Sequence, residues 1–153
     1  MKIRHIYISP GHNFYGRRDL PPLEHPTIEV PQVECVAGSG LRGDRFFDYK
    51  EDFKGQITFF ALEVYHKLCT EFGVNDKPTS VFRRNVISEG VDLNMLVGTE
   101  FEVQGIRFRG TAECSPCEWM NYAFADGAER FLHARGGLRA MILTDGILRV
   151  DPA

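Results

Sequence analysis

Two thiols stand at a spacing that suits chemistry: Cys114-Ser115-Pro116-Cys117, after a stretch that alternates as a strand and before one with helical spacing. A thiol at the start of a helix faces the positive end of its dipole, which stabilises the thiolate as a nucleophile or metal ligand. Cys117 holds that place, so a depressed pKa and a reactive Cys117 are expected. Zinc, redox and purely structural roles compete with this one. Structural zinc takes about four ligands, and without a second CxxC or an HxxxH it would have to recruit scattered residues such as His133. A thioredoxin-type redox pair has this spacing but sits in a βαβ setting that the chain's pattern lacks. Two buried thiols without chemistry are the plainest possibility, since free Cys is among the most buried residue types; this applies to Cys114 more than to Cys117.

The basic residues are skewed. Thirteen of the eighteen are Arg, whose planar fork holds phosphate or carboxylate better than the Lys point charge does, and this points to an anionic ligand. The candidates are Arg42 and Arg45 in Gly40-Leu41-Arg42-Gly43-Asp44-Arg45, Arg83 and Arg84 ahead of Asn85, and Arg135 and Arg139 around Gly136-Gly137. Each has a bland counterpart: Arg42 and Arg45 can pair with Asp44 or Glu51, and the glycines can serve a turn. Arg107 and Arg109 belong on a solvated strand face. A lone His is more often structural than a ligand, and His133, beside the Arg-Gly-Gly stretch, is better placed than His12. A net charge of -3 argues against a dedicated nucleic-acid binder.

The elements that must position these residues follow from patterning. With 153 residues, 43% of them hydrophobic, the chain is long enough for one substantial core. No repeat or linker divides it, so residues 1–153 are read as one domain. No apolar stretch approaches the roughly 20 residues of a membrane span. The N-terminus alternates charge and apolar side chains instead of forming a signal. A cytoplasmic protein with reduced thiols is therefore expected. Residues 3–9 alternate as a strand. A long Pro-rich loop over residues 10–31 follows, in which His12, Asn13, Tyr15 and Arg17 are further candidates to line a site. Strands are expected at 33–37, 56–60, 86–88, 101–104 and 106–111. A helix is expected from Leu62 to Phe72 with Gly73 as its stop, and a helical turn over 92–97 between Asp92 and Gly98. Residues 119–133 read as a helix broken at Asp126-Gly127. Asp145-Gly146 reads as the turn of a hairpin between 138–144 and 147–150. Many short strands with few helices indicate a mainly β, α+β domain with an antiparallel, barrel-like sheet and no helix-strand alternation.

Six of these segments occur in the order seen in MOSC-domain proteins, named for the C-terminal domain of molybdenum cofactor sulfurase. They are Gly40 to Arg45, Arg83-Arg84-Asn85-Val86, Gly90-Val91-Asp92-Leu93-Asn94, Leu96-Val97-Gly98, Pro116-Cys117 and His133 to Arg139. The chain resembles that family from Val33 onward, as a stand-alone bacterial-type member. The resemblance implies a barrel-like β fold, a functional cysteine at Cys117 and the molybdenum cofactor, molybdopterin, as ligand. Molybdopterin carries a phosphate and a dithiolene, which suits Arg42, Arg45, Arg83, Arg84, Arg135 and Arg139 for the former and the Cys117 thiolate for molybdenum or its sulfur. Asn85 then suits the polar edge of the pterin, His133 is a further contact, and Gly136 and Gly137 allow close backbone approach. Two reactions follow from the resemblance. Cys117 carries sulfur as a persulfide, supplied by a separate desulfurase that holds pyridoxal phosphate, or it ligates molybdenum in a reductase of N-hydroxylated small molecules, fed by a separate electron donor. The alternatives are a non-catalytic molybdopterin binding or delivery module and a CxxC thiol oxidoreductase.

Overall fold

The computed structural model describes residues 1–11 and 25–153. His12, Asn13, Tyr15 and Arg17 lie outside the described residues. Among the described residues, ten strands form two sheets. The larger contains β1 (Lys2–Ile8), β2 (Ile28–Glu29), β5 (Ile57–Ala61), β6 (Val86–Glu89), β7 (Glu100–Val103), β8 (Ile106–Glu113) and β9 (Leu138–Ile142), in the order β2-β1-β6-β5-β9-β8-β7. The smaller contains β3 (Gln32–Val36), β4 (Gly40–Leu41) and β10 (Gly146–Arg149), in the order β10-β3-β4. The mainly β, α+β expectation holds; the strands described do not close into a barrel.

Strands in the middle of the large sheet are buried on both faces, so they read as near-continuous apolar runs instead of alternating ones. Ile57 and Phe59 of β5 turn into the layer shared with the small sheet, where they meet Ile3, Cys35, Leu41 and Leu148; Phe60 turns the other way, toward Leu68, Phe82 and Met120. Adjacent residues divide in the same manner at Ile6 and Tyr7 and at Val86 and Ile87. The second layer is closed by α1 (Leu62–Phe72), α2 (Trp119–Ala123) and α3 (Ala128–Phe131). Helix α1 ends as expected at Gly73 in the left-handed conformation. Asp92 accepts from the Asn94 backbone N–H at the start of a 3-10 turn over Leu93–Leu96, also as expected. The break between α2 and α3 falls at residues 124–127. Among the described residues, no helix is long and apolar enough to cross a membrane.

Three expectations need correction. The sheet is not wholly antiparallel: β5 and β6 are parallel, joined by α1. Parallel neighbours need a crossover that a two-residue turn cannot provide, and helix-strand alternation is thus present locally. The hairpin at Asp145-Gly146 does not form, because β10 pairs with β3 across the other sheet. Asp145 Oδ1 accepts from the Ala37 N–H at 2.7 Å, and Gly146 lies opposite Cys35, so the Asp-Gly step carries the chain between sheets. The excursion over residues 10–31 is not loop throughout, since Ile28 and Glu29 pair with Ile8 and Tyr7.

Cys35 lies between the sheets with no exposure, and burial pushes its thiol up from about 9 to about 12. A thiol pKa raised by folding leaves stability intact below the unfolded value and removes it as pH climbs toward the folded one. The loss is at most about 1.4 kcal/mol per pH unit. Between pH 9 and 12 the melting temperature is therefore expected to fall more steeply for the wild type than for Cys35→Ala, measured by circular dichroism; parallel slopes would show that Cys35 contributes nothing to alkaline unfolding.

Candidate functional site

A cleft of about 370 Å³ opens where the end of β8 and the start of β9 meet the 3-10 turn Thr79–Phe82, the 45–55 loop and α2. Arg45, Arg83, Arg84, Arg139, Cys114 and Cys117 all line it, with Phe46, Phe53, Phe82 and Trp119 as aromatic walls. Five of the residues singled out in the sequence as catalytic or cofactor-binding (Arg45, Arg83, Arg84, Arg139 and Cys117) thus meet in one place, although they lie up to 94 positions apart.

The guanidinium groups there differ in what holds them. Arg84 donates to the backbone carbonyls of Gly136 at 3.1 Å, Phe82 at 3.2 Å and Cys114 at 3.5 Å. Arg83 donates to Ser9 Oγ and the Gly11 carbonyl on one side of residues 12–24, and to Thr27 Oγ1 and the His25 carbonyl on the other. Neither forms an ion pair among the described residues; burial and the Arg45 charge bring the Arg83 pKa down to about 10, with Asp44 opposing them in part. Arg45 pairs with Asp44 at 3.3 Å and donates to the Arg83 carbonyl, but its buried Nε has no partner among the described residues. Burial and the Arg84 charge pull its pKa down. Arg139 lies over the Phe53 ring at 5.4 Å and makes no ion pair among the described residues. The donors without a partner among the described residues are thus the buried Arg45 Nε and the Arg139 guanidinium, while Arg83 and Arg84 supply fixed positive charge.

Several sequence candidates do other work. Arg42 is exposed and pairs with Glu34, with its guanidinium 5.0 Å over the Phe47 ring. Asn85 is buried: its side-chain oxygen accepts from the Thr58 N–H and hydroxyl, and its amide donates to the Tyr7 carbonyl, which leaves it tying β1, β5 and β6 together. Gly136 and Gly137 are demanded by backbone packing. A Cβ on Gly136 would stand 2.1 Å from the Cys114 carbonyl oxygen, and one on Gly137 2.1 Å from that of Phe59. Arg135 lies 4.6 Å over the Phe131 ring and lines a different cavity with Lys67 and Asp92. His133 is exposed beside a further cavity lined by Ser115, Glu129 and Arg130. Arg107 and Arg109 both reach Glu100 on the solvated face, as expected.

The Cys117 thiol is pushed up, not down. Burial outweighs the Trp119 backbone N–H and the Arg84 charge, while Glu129 and Cys114 add to the rise. The start of the helix contributes only the Trp119 N–H, because α2 has five residues and begins two positions after Cys117, and burial exceeds that contribution. Among the described residues, no three His, Cys, Asp or Glu side chains are grouped to hold a metal ion.

Glu113 also lines the cleft, and sequence reading missed it. Strand alternation assigns it to the same face as the solvated Arg107 and Arg109. A bulge between Gly110 and Ala112 shifts the register and re-aims the residues beyond it; no sequence pattern announces that bulge beyond the glycine itself.

Because Arg84 lowers the Cys117 pKa and Glu129 raises it, alkylation of Cys117 is expected to move in opposite senses in two variants. Arg84→Met shifts the rate profile to higher pH and slows the reaction at pH 8. Glu129→Gln shifts it lower and speeds the reaction. Rates followed by intact mass check this, and identical profiles would mean that neither charge reaches the sulfur.

Residues 44–152 match the model of the MOSC domain. The match begins at Asp44, just after Gly40 to Gly43. Among solved structures, the YuaD protein from Bacillus subtilis is similar with a TM-score of 0.75 at 18% identity, over 97% of this chain and 91% of that one. YiiM from Escherichia coli gives 0.66 at 17%, over 99% and 67%. YiiM from Geobacillus stearothermophilus gives 0.66 at 11%, over 97% and 70%. At such identities the likeness is one of fold. No curated protein matches the chain. With the family model spanning residues 44–152 of 153, the chain belongs to the MOSC domain family.

Proposed function

We propose that the cleft binds phosphorylated molybdopterin and that Cys117 supplies a thiolate to its molybdenum. The observation that carries this is a buried Arg45 Nε without a partner among the described residues, in a cleft where Arg83, Arg84 and Arg139 form no ion pair among those residues. Such a place calls for an anion with several oxygens, and charge-assisted bonds to phosphate are the strong kind. The aromatic walls suit a flat ring, and the volume lies within the range of small-molecule sites. The donor set is therefore suited to the group: Arg45 and Arg139 for the phosphate, Cys117 as soft ligand.

The raised Cys117 pKa bears on what this thiol does. A sulfur carrier or a CxxC oxidoreductase needs thiolate before its partner arrives, and burial here disfavours it. A metal ligand needs none in advance, because coordination itself removes the proton. Ligation is thus the better-supported role, ahead of persulfide transfer. When bound, the cofactor would supply two-electron redox chemistry toward a small N-hydroxylated substrate, with electrons from a separate donor protein. The chain's own residues hold the anion, bring Cys117 to the same ligand and cover it with Phe82 and Trp119. A delivery module would use the same contacts without turnover.

The test is to purify the protein from a host that makes the cofactor and to measure bound molybdenum and released pterin. Cys117→Ser is expected to lose molybdenum, and Cys114→Ser to keep both. Arg139→Met removes an unpaired donor and is expected to lower pterin affinity by about tenfold, the effect of one charge-assisted contact of about 1.5 kcal/mol. Wild-type retention of molybdenum in Cys117→Ser would overturn the assignment.

A further inference from the structure

Glu113 is the one acidic residue among the described residues lining an otherwise cationic cleft, and it stands at the border with the smaller cavity lined by Arg130 and His133. Its Oε1 is sealed from solvent and bonded to nothing among the described residues, and no ion pair joins Glu113 to Arg84, Arg139 or any other described residue. An acceptor in this state keeps its demand for a donor, while the half-buried side chain as a whole still borders the cleft. It also repels any anion the arginines attract. Both penalties are relieved if the ligand brings N–H groups to this wall while its anionic end meets the arginines.

We propose that Glu113 reads the ligand's N–H edge, so that the cleft selects a planar heterocycle carrying adjacent ring N–H and exocyclic amino donors at one end and a phosphate at the other. This rests on the cofactor reading above and assigns to it the residue that recognises the aminopyrimidinone edge of the pterin. Three features converge on it. Phe46, Phe53, Phe82 and Trp119 provide flat apolar walls against which such a ring stacks. A carboxylate accepts two parallel N–H bonds from neighbouring donors and has no donor of its own when ionised, so it distinguishes an amino from an oxo substituent. Asn85, the amide that the sequence suggests for this edge, is buried with both its oxygen and its nitrogen bonded within the protein.

The experiment uses calorimetry with three metal-free probes: 6-hydroxymethylpterin phosphate, its 2-oxo counterpart in which an acceptor replaces the amino donor, and inorganic phosphate. The wild type is expected to prefer the amino compound over the oxo compound by about tenfold or more, as sites built to hydrogen-bond a group reject analogues without it. Glu113→Gln, nearly isosteric, is expected to lose that preference while binding inorganic phosphate as well as or better than the wild type. Glu113→Asp, which keeps the charge, is expected to retain part of the preference. Equal losses for all three probes would reveal a structural role and overturn the inference, as would an unchanged preference in Glu113→Gln. If the wild type binds the pterin phosphate no better than inorganic phosphate, and Arg139→Met changes neither, the cofactor reading itself falls. Loss of the inference alone is recognised by tight, Arg139-dependent pterin binding that ignores Glu113.

Discussion

The Arg84 guanidinium donates to carbonyls of three segments that are far apart in the chain: Phe82 at the end of a 3-10 turn, Cys114 in the thiol loop and Gly136 ahead of β9. These are the walls of the cleft. Backbone carbonyls satisfy the donors without cancelling the charge, so the same group that joins the walls also leaves them positive. A methyl group on Gly136 would force the segment ahead of β9 away from Cys114 and lengthen those bonds. Position of the thiol loop, shape of the cleft and sign of its potential thus depend on one side chain whose replacement by Lys would lose the planar fork.

The charge pattern extends outward from that point. Asp44 pairs with Arg45, and its carboxylate also accepts from the Ser9 and Phe46 backbone N–H groups, so it reaches Arg83 only through its field and not through an ion pair. Arg83 takes a left-handed backbone conformation at φ 57° and uses its donors to join residues on both sides of 12–24. In water such charges would be neutralised by solvent and ions. In a half-buried cleft walled by Phe and Trp they act on whatever enters with a smaller effective dielectric constant.

Much of the fold is legible in local pattern. The ends of α1 are marked by its apolar spacing and Gly73, the 3-10 turn after Asp92 by its cap, and β7 and β8 by Gly105 between alternating runs. What escapes is long-range pairing. The Asp145-Gly146 step has good hairpin chemistry, but its partner strand is chosen by the apolar face that β10 must bury against β3, and this is invisible over two residues. The parallel pairing of β5 with β6 likewise depends on which face of α1 finds a cover. At the cleft, residue type points to Cys117 and four arginines, which the structure brings together, because charge and softness are properties of a side chain. It points as well to Asn85, Gly136, Arg135 and Arg42, which do not line that cleft and whose contacts depend on neighbours. Glu113 stays hidden behind a one-residue bulge.

The pairing of β3 with β10 has a consequence for synthesis. The small sheet is built around residues 32–36, yet it is completed by residues 146–149. During translation the nascent chain presents β3 early, and more than a hundred residues must follow before its partner emerges. Until then the apolar face of the large sheet that Leu148 later helps to cover has an incomplete lid. Pairings of such sequence separation close slowly and leave hydrophobic surface available to chaperones in the interval. The arginine cleft is assembled from residues 45–139 and so can be shaped before that lid arrives, whereas the core beneath it sets only with the final strand.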